Sequence, residues 1–107
     1  MIADVVVDRR TGSVRVTKAV AAVDSGLIVN PDGLTNQIEG GVVQSLSWTL
    51  KEGVRFDEKG VRSEDWTSYP ILTFSEVPPI DVKVIDRPGE PFLGAGEASQ
   101  GPTGAAL

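Results

Sequence analysis

Cysteine and histidine are both absent from the chain. Without cysteine there is no disulfide, no thiolate nucleophile and no cysteine-held iron–sulfur or zinc centre, and without histidine the commonest general base and metal ligand is gone. Any chemistry must rest on carboxylates or on a cofactor that brings its own metal. Aromatic residues are few, two Trp, one Tyr and three Phe, and ten Lys and Arg face fifteen Asp and Glu for a net charge of −5. With no basic run, that balance argues against a nucleic-acid surface. No apolar stretch approaches the roughly 18 residues of a membrane span, and Met1 is followed by a strand-like pattern where an export signal would be basic and then apolar.

What is present fits one small α+β unit. A chain of 107 residues buries only about two thirds of its unfolded surface, which is room for a single core. Residues 2–8 and 13–24 are rich in Val and Ala with partial alternation, and Arg9-Arg10-Thr11-Gly12 between them predicts an antiparallel hairpin. Asn30-Pro31-Asp32-Gly33 carries turn and helix-start chemistry. From there Leu34, Ile38, Val42, Leu46 and Leu50 recur every four residues, predicting one amphipathic helix packed on the sheet. Gly40-Gly41 inside that helix costs about 2 kcal/mol relative to two alanines, so close packing or contact with a ligand must explain the pair. A second small hairpin is expected at residues 54–63 around Asp57-Glu58-Lys59-Gly60, an irregular stretch over 64–79, and a half-buried strand at 80–86.

The last fifteen residues carry the most chemistry. Gly94 and Gly96 allow positive φ and close approach of the backbone to a ligand, and Glu97 follows them on a glycine loop leading into a truncated helix near Pro102. Gln37 and Gln44, seven apart on the first helix, lie near one face beside Gly40-Gly41, and their amides both donate and accept. A glycine-flanked acid also suits an ordinary surface turn, and the glutamines also suit a solvated helix face. The residues alone leave both readings open. Because Ala105-Ala106-Leu107 stops where a helix is starting, the sequence reads as a piece of a larger polypeptide.

The order of segments is more specific than any one of them. Ala22-Val23-Asp24-Ser25-Gly26, Val29-Asn30-Pro31, the run Gln37-Ile38-Glu39-Gly40-Gly41-Val42-Val43-Gln44-Ser45-Leu46, Ser68-Tyr69-Pro70-Ile71-Leu72, and Gly94-Ala95-Gly96-Glu97 with Gly101-Pro102 follow one another. This series resembles the C-terminal part of the molybdenum-binding large subunit of the xanthine dehydrogenase and aldehyde oxidase family. Within it, the bacterial aldehyde dehydrogenase and isoquinoline 1-oxidoreductase branch is most similar. Relatives often carry Pro soon after the loop glutamate, where this chain has Ala98-Ser99-Gln100.

The resemblance implies that residues 1–107 are a single fragment of a molybdopterin-binding domain. It implies Glu97 as general base, buried beside the metal, and Gln37 as a hydrogen-bond partner of the pterin, with Gly40 and Gly96 lining the cofactor. No metal ligand from the protein is implied, since the family holds molybdenum through the pterin dithiolene, in agreement with the missing Cys and His. The reaction implied is hydroxylation of an aldehyde or N-heterocycle with oxygen from water. The cofactor implied is molybdopterin, in the cytosine dinucleotide form common to the bacterial branch. Partners implied are the rest of the large subunit, an iron–sulfur electron-transfer subunit and a small-molecule substrate. The isolated piece is expected to bind no cofactor and to be inactive, and its bared apolar faces to favour self-association. The competing expectation is a non-catalytic α+β interaction module in which Gln37 and Glu97 are plain surface residues.

Overall fold

In the computed structural model, which describes all 107 residues, strands β1 (Ile2–Val7) and β2 (Val14–Asp24) form the antiparallel hairpin. Its turn is built by Asp8, whose carboxylate accepts from the amides of Arg10 (2.8 Å) and Thr11 (3.2 Å), while Gly12 takes a positive φ of 76°. Those backbone N–H groups hold the Asp8 carboxyl below the usual carboxylate range.

The partial alternation of β2 has a specific cause. Pairing runs Asp4 with Lys18 and then Val5 with Val16, so Thr17 is an extra residue on β2, a β-bulge. The inward phase shifts by one across it. Val16 is buried before the bulge, Ala19 and Ala21 after it. The Thr17 hydroxyl donates to the Asp4 carbonyl at 3.1 Å, giving an acceptor at the irregularity a partner.

Helix α1 (Pro31–Leu50) starts three residues before the apolar period does. Asn30 caps it by accepting from the Gly33 amide at 2.9 Å, and Pro31 occupies the first turn, where a missing N–H removes no helix bond. Ile38, Val42 and Leu46 are buried against the sheet, with Leu34 and Leu50 half-buried at the ends of the same stripe. The main cluster is Val16, Ala19, Val42 and Leu46, ringed by Met1, Ala3, Leu50, Leu72 and Ile80.

Strand β5 (Ile80–Ile85) lies on the other side of β2 and runs parallel to it, Ala19 opposite Ile80 through Asp24 opposite Ile85. The sheet order is β1-β2-β5, with α1 on the crossover between its parallel strands. The second hairpin is shorter than its sequence suggests: β3 (Phe56–Asp57) pairs with β4 (Gly60–Val61), leaving a two-residue turn at Glu58-Lys59. Gly60 at φ 122° and the Asp57 carboxylate, 2.7 Å from the Lys59 amide, tighten it. The irregular 64–79 stretch includes a 3₁₀ turn at Phe74–Glu76. Its Glu76 carboxylate receives Lys51 Nζ at 2.7 Å and the Thr73 hydroxyl at 2.6 Å, fastening the turn to the end of α1. The final helix, α2 (Gln100–Ala105), packs on α1.

The core is small and the molecule is drawn out. Its radius of gyration is 16.6 Å, against about 13 Å for a compact chain of this length. Phe74, Phe56, Trp66, Leu93 and Phe92 are each more than 70% exposed.

Leu46 is 1% exposed in the main cluster, and Leu46→Ala is expected to cost about 3 kcal/mol, measured by urea unfolding. The Lys51 and Thr73 contacts depress Glu76 from 4.5 to about 2. A carboxyl whose folded value is depressed contributes stability above its unfolded value and loses it as pH falls through the folded one. The 73–76 turn should therefore stay attached at neutral pH and release from α1 between 4.5 and about 2, followed by the amide shifts of Thr73 and Glu76.

Candidate functional site

The end of β2 is the anchor from which the glycine loop is hung. Asp24 Oδ1 accepts from the Gly26 amide at 3.1 Å, a local turn bond, and Asp24 Oδ2 accepts from Arg87 Nε at 2.8 Å. Gly26 has φ 73° and pairs with Phe92, and the Leu93 amide donates to the Ser25 carbonyl at 2.9 Å. Residues 87–93 are thereby fixed beside the turn that feeds α1. The loop glycines that follow, Gly94 and Gly96, adopt φ 77° and 45°.

From there the chain runs along α1 and is stitched to it. Gln37 Nε2 donates to the Gly96 carbonyl at 2.7 Å, the Ser99 hydroxyl to the Ile38 carbonyl at 2.9 Å, Gln100 Nε2 to Gln44 Oε1 at 2.7 Å, and the Ser45 hydroxyl to the Gln100 carbonyl at 2.8 Å. Segments 59 residues apart in sequence, one carrying the glutamines and one the acid, therefore meet on one surface. Gln37 spends one N–H on the loop, which leaves its carbonyl oxygen and second N–H available. Gln37, Gly40 and Gln44 are all exposed along this side of the helix.

The glycine pair divides its labour. A β-carbon on Gly41 would lie 2.2 Å from Ser99 Oγ, so Gly41 is required by packing, whereas Gly40, Gly94 and Gly96 have nothing within 4 Å of that position. A groove of about 280 Å³ opens beside Gly94 and Gly96, lined also by Asn30, Gly33, Gln37 and Phe92 among others, with Gly40 outside its lining. Glu97 is exposed next to it. The burial expected for this residue is not provided by the chain itself, because no element of residues 1–107 covers that side of the loop. No three His, Cys, Asp or Glu side chains converge in a way that could hold a metal ion. Of the two explanations expected for Gly40-Gly41, close packing holds for Gly41, while Asp24, Ser99 and Gln100 were not assigned structural parts in this site from sequence. The adjacency of Gly41 to Gly40 was the one local signal; the others act through partners 55 to 63 residues away.

The profile of the molybdopterin cofactor-binding domain matches residues 1–78. A component of the nicotinate dehydrogenase of Pseudomonas putida is 52% identical over 106 residues, which is 99% of this chain and 9% of that protein. The beta subunit of isoquinoline 1-oxidoreductase from Brevundimonas diminuta is 31% identical over 86 residues, 80% of this chain and 11% of that protein. Among solved structures, quinoline 2-oxidoreductase from Pseudomonas putida 86 superposes with a TM-score of 0.88 at 32% identity, covering 97% of this chain and 14% of that one. The Cu,Mo-CO dehydrogenase shares the fold, with a TM-score of 0.77 at 22% identity. The chain thus spans about a tenth of the length of these two sequence relatives.

A β-carbon on Gly26 would sit 2.1 Å from the Pro91 carbonyl oxygen, at a φ that side chains avoid. Gly26→Ala is accordingly expected to destabilise the chain by about 2 kcal/mol or more, seen as a lowered thermal midpoint.

Proposed function

The chain belongs to the molybdopterin cofactor-binding domain family, and from that premise we propose that it is one piece of the large subunit of a molybdenum hydroxylase. In this reading it contributes a proton-accepting glutamate and part of the pterin cradle, and is inactive by itself. The observation that supports the proposal is the bond from Gln37 to the Gly96 carbonyl, which ties the residue before Glu97 to the face of α1 that also carries Gly40.

The residues present suit the group. Gly40, Gly94 and Gly96 leave unfilled the space that β-carbons would occupy, so a planar ligand can lie against backbone there. Gln37 has an acceptor and a donor to spare, matching a pterin edge that offers both. The chain supplies no Cys or His, as befits a metal held by the sulfurs of its own organic ligand. When bound, molybdenum in its pterin supplies the two-electron redox chemistry that inserts oxygen from water into a C–H bond. Gln37, Gly40 and Gly96 would hold it, and Glu97 would take up the proton released at the reacting oxygen. Exposed here, Glu97 acquires its water-excluded surroundings from the remainder of the subunit.

Relatives named for nicotinate, isoquinoline and quinoline support an N-heterocycle as substrate, with an aldehyde the other member of the class. The cytosine dinucleotide form of the pterin and an iron–sulfur partner that accepts the electrons complete the reading. Glu97→Gln in the full-length protein tests it. Turnover should fall by about 10²–10⁴-fold with molybdenum content retained, and undiminished turnover would remove Glu97 from the mechanism.

A further inference from the structure

Glu97 is exposed, yet the backbone that carries it is fixed on both sides. Before it, the Gly96 carbonyl accepts from Gln37; at it, the Glu97 carbonyl accepts from the Gln100 amide at 3.0 Å; after it, Ser99 is only 6% exposed and is held three ways. Its hydroxyl donates to the Ile38 carbonyl at 2.9 Å, and its own carbonyl accepts the Thr103 hydroxyl at 2.6 Å and the Thr103 amide at 3.1 Å. The hydroxyl occupies the space that a side chain at residue 41 would need. Remove that oxygen, and the nearest atoms to a β-carbon at 41 are Ser99 Cβ and Gln100 Cγ, both at 3.5 Å, an ordinary contact.

From this geometry, and resting on the catalytic reading of Glu97 given above, we infer that Ser99 is a positioning residue: seated over Gly41 and tied to Ile38, its hydroxyl clamps the glycine loop to α1 and so sets where Glu97 stands relative to the Gln37 and Gly40 surface. Glycine is needed at 41 because the clamp has to pass through the place of a β-carbon. Serine at 99 supplies a donor short enough to reach a helix carbonyl from inside a tight turn. The Ile38 carbonyl lies within the span of α1, so the bond adds tethering without leaving an orphan when it is lost. Reactions that depend on a placed base are steep in distance, a 1 Å misplacement costing up to about a hundredfold.

The test joins two measurements. In the full-length protein, amide hydrogen exchange is followed by mass spectrometry of peptides spanning Ala98, Gln100 and Thr103 in Ser99→Ala, Gly41→Ala and the double variant. Ser99→Ala should speed exchange about tenfold. Gly41→Ala should speed it further by driving the hydroxyl off its seat, and adding Ser99→Ala to Gly41→Ala should slow exchange again, to the level of Ser99→Ala alone. In the molybdenum-loaded full-length protein, Ser99→Ala should lower kcat about tenfold, with KM and molybdenum content unchanged, as expected for a displaced base. Exchange unchanged in Ser99→Ala, or effects of the two substitutions that simply add, overturns the clamp. Intact kcat in Ser99→Ala, where Glu97→Gln abolishes turnover, overturns the positioning role while sparing the catalytic reading. Full turnover in Glu97→Gln overturns both the catalytic reading and the positioning role that rests on it. If Gly41→Ala does not fold, the exchange and kcat of Ser99→Ala decide alone.

Discussion

The seam between α1 and residues 96–103 is the constraint on which the candidate site depends. On one side is a helix whose Gly41 offers bare backbone, and on the other a segment whose Ser99 hydroxyl donates to that helix while the buried Thr103 hydroxyl donates back to Ser99. Four side-chain hydrogen bonds cross the seam, from Gln37, Ser45, Ser99 and Gln100. Each is worth about 1 kcal/mol, yet together they convert a short glycine-rich segment into a surface of defined shape. The helix can provide that backing because its apolar stripe is committed elsewhere. Ile38, Val42 and Leu46 face the sheet, which leaves the small and amide-bearing positions for the loop.

After the loop glutamate this chain has Ala98-Ser99-Gln100, with no proline before Pro102. A proline at this place and the side chains present would restrain the backbone by different physics. Proline restricts φ within the residue, whereas Ser99 and Gln100 restrain the loop through contacts to a neighbouring helix. The second solution couples the loop to α1, so the site is only as rigid as the helix beneath it. Asp24 performs the corresponding task at the other end, joining the exit of β2 to Arg87 across 63 residues.

Local patterns carried much of the architecture. The Asp8 and Gly12 turn, the Asn30-Pro31 helix start and the four-residue period of Leu34 to Leu50 each act through neighbours a few positions away, and each appears where the sequence puts it. The order of motifs likewise pointed to the family. What sequence did not reveal is pairing between distant segments: the parallel register of β5 on β2, the role of Gly41 rather than Gly40 in packing, and the clamp at Ser99. No periodicity encodes those, since each depends on which two surfaces the fold presses together. The exposure of Glu97 was also hidden, because residues that look ready to be enclosed carry no mark of whether the enclosing surface is their own.

The extra residue at Thr17 makes β2 two half-strands with opposite inward phase: Val16 turns its side chain toward α1 in the hairpin half, Ala19 and Ala21 in the half that pairs with β5. A ribbon that changes phase midway can present a bulky side chain at one end of the helix and alanines at the other, where α1 comes closest to the loop. Length therefore constrains this strand more strictly than identity does: any single-residue indel would exchange inner for outer faces over one half, and tilt the helix on which the acidic loop rests.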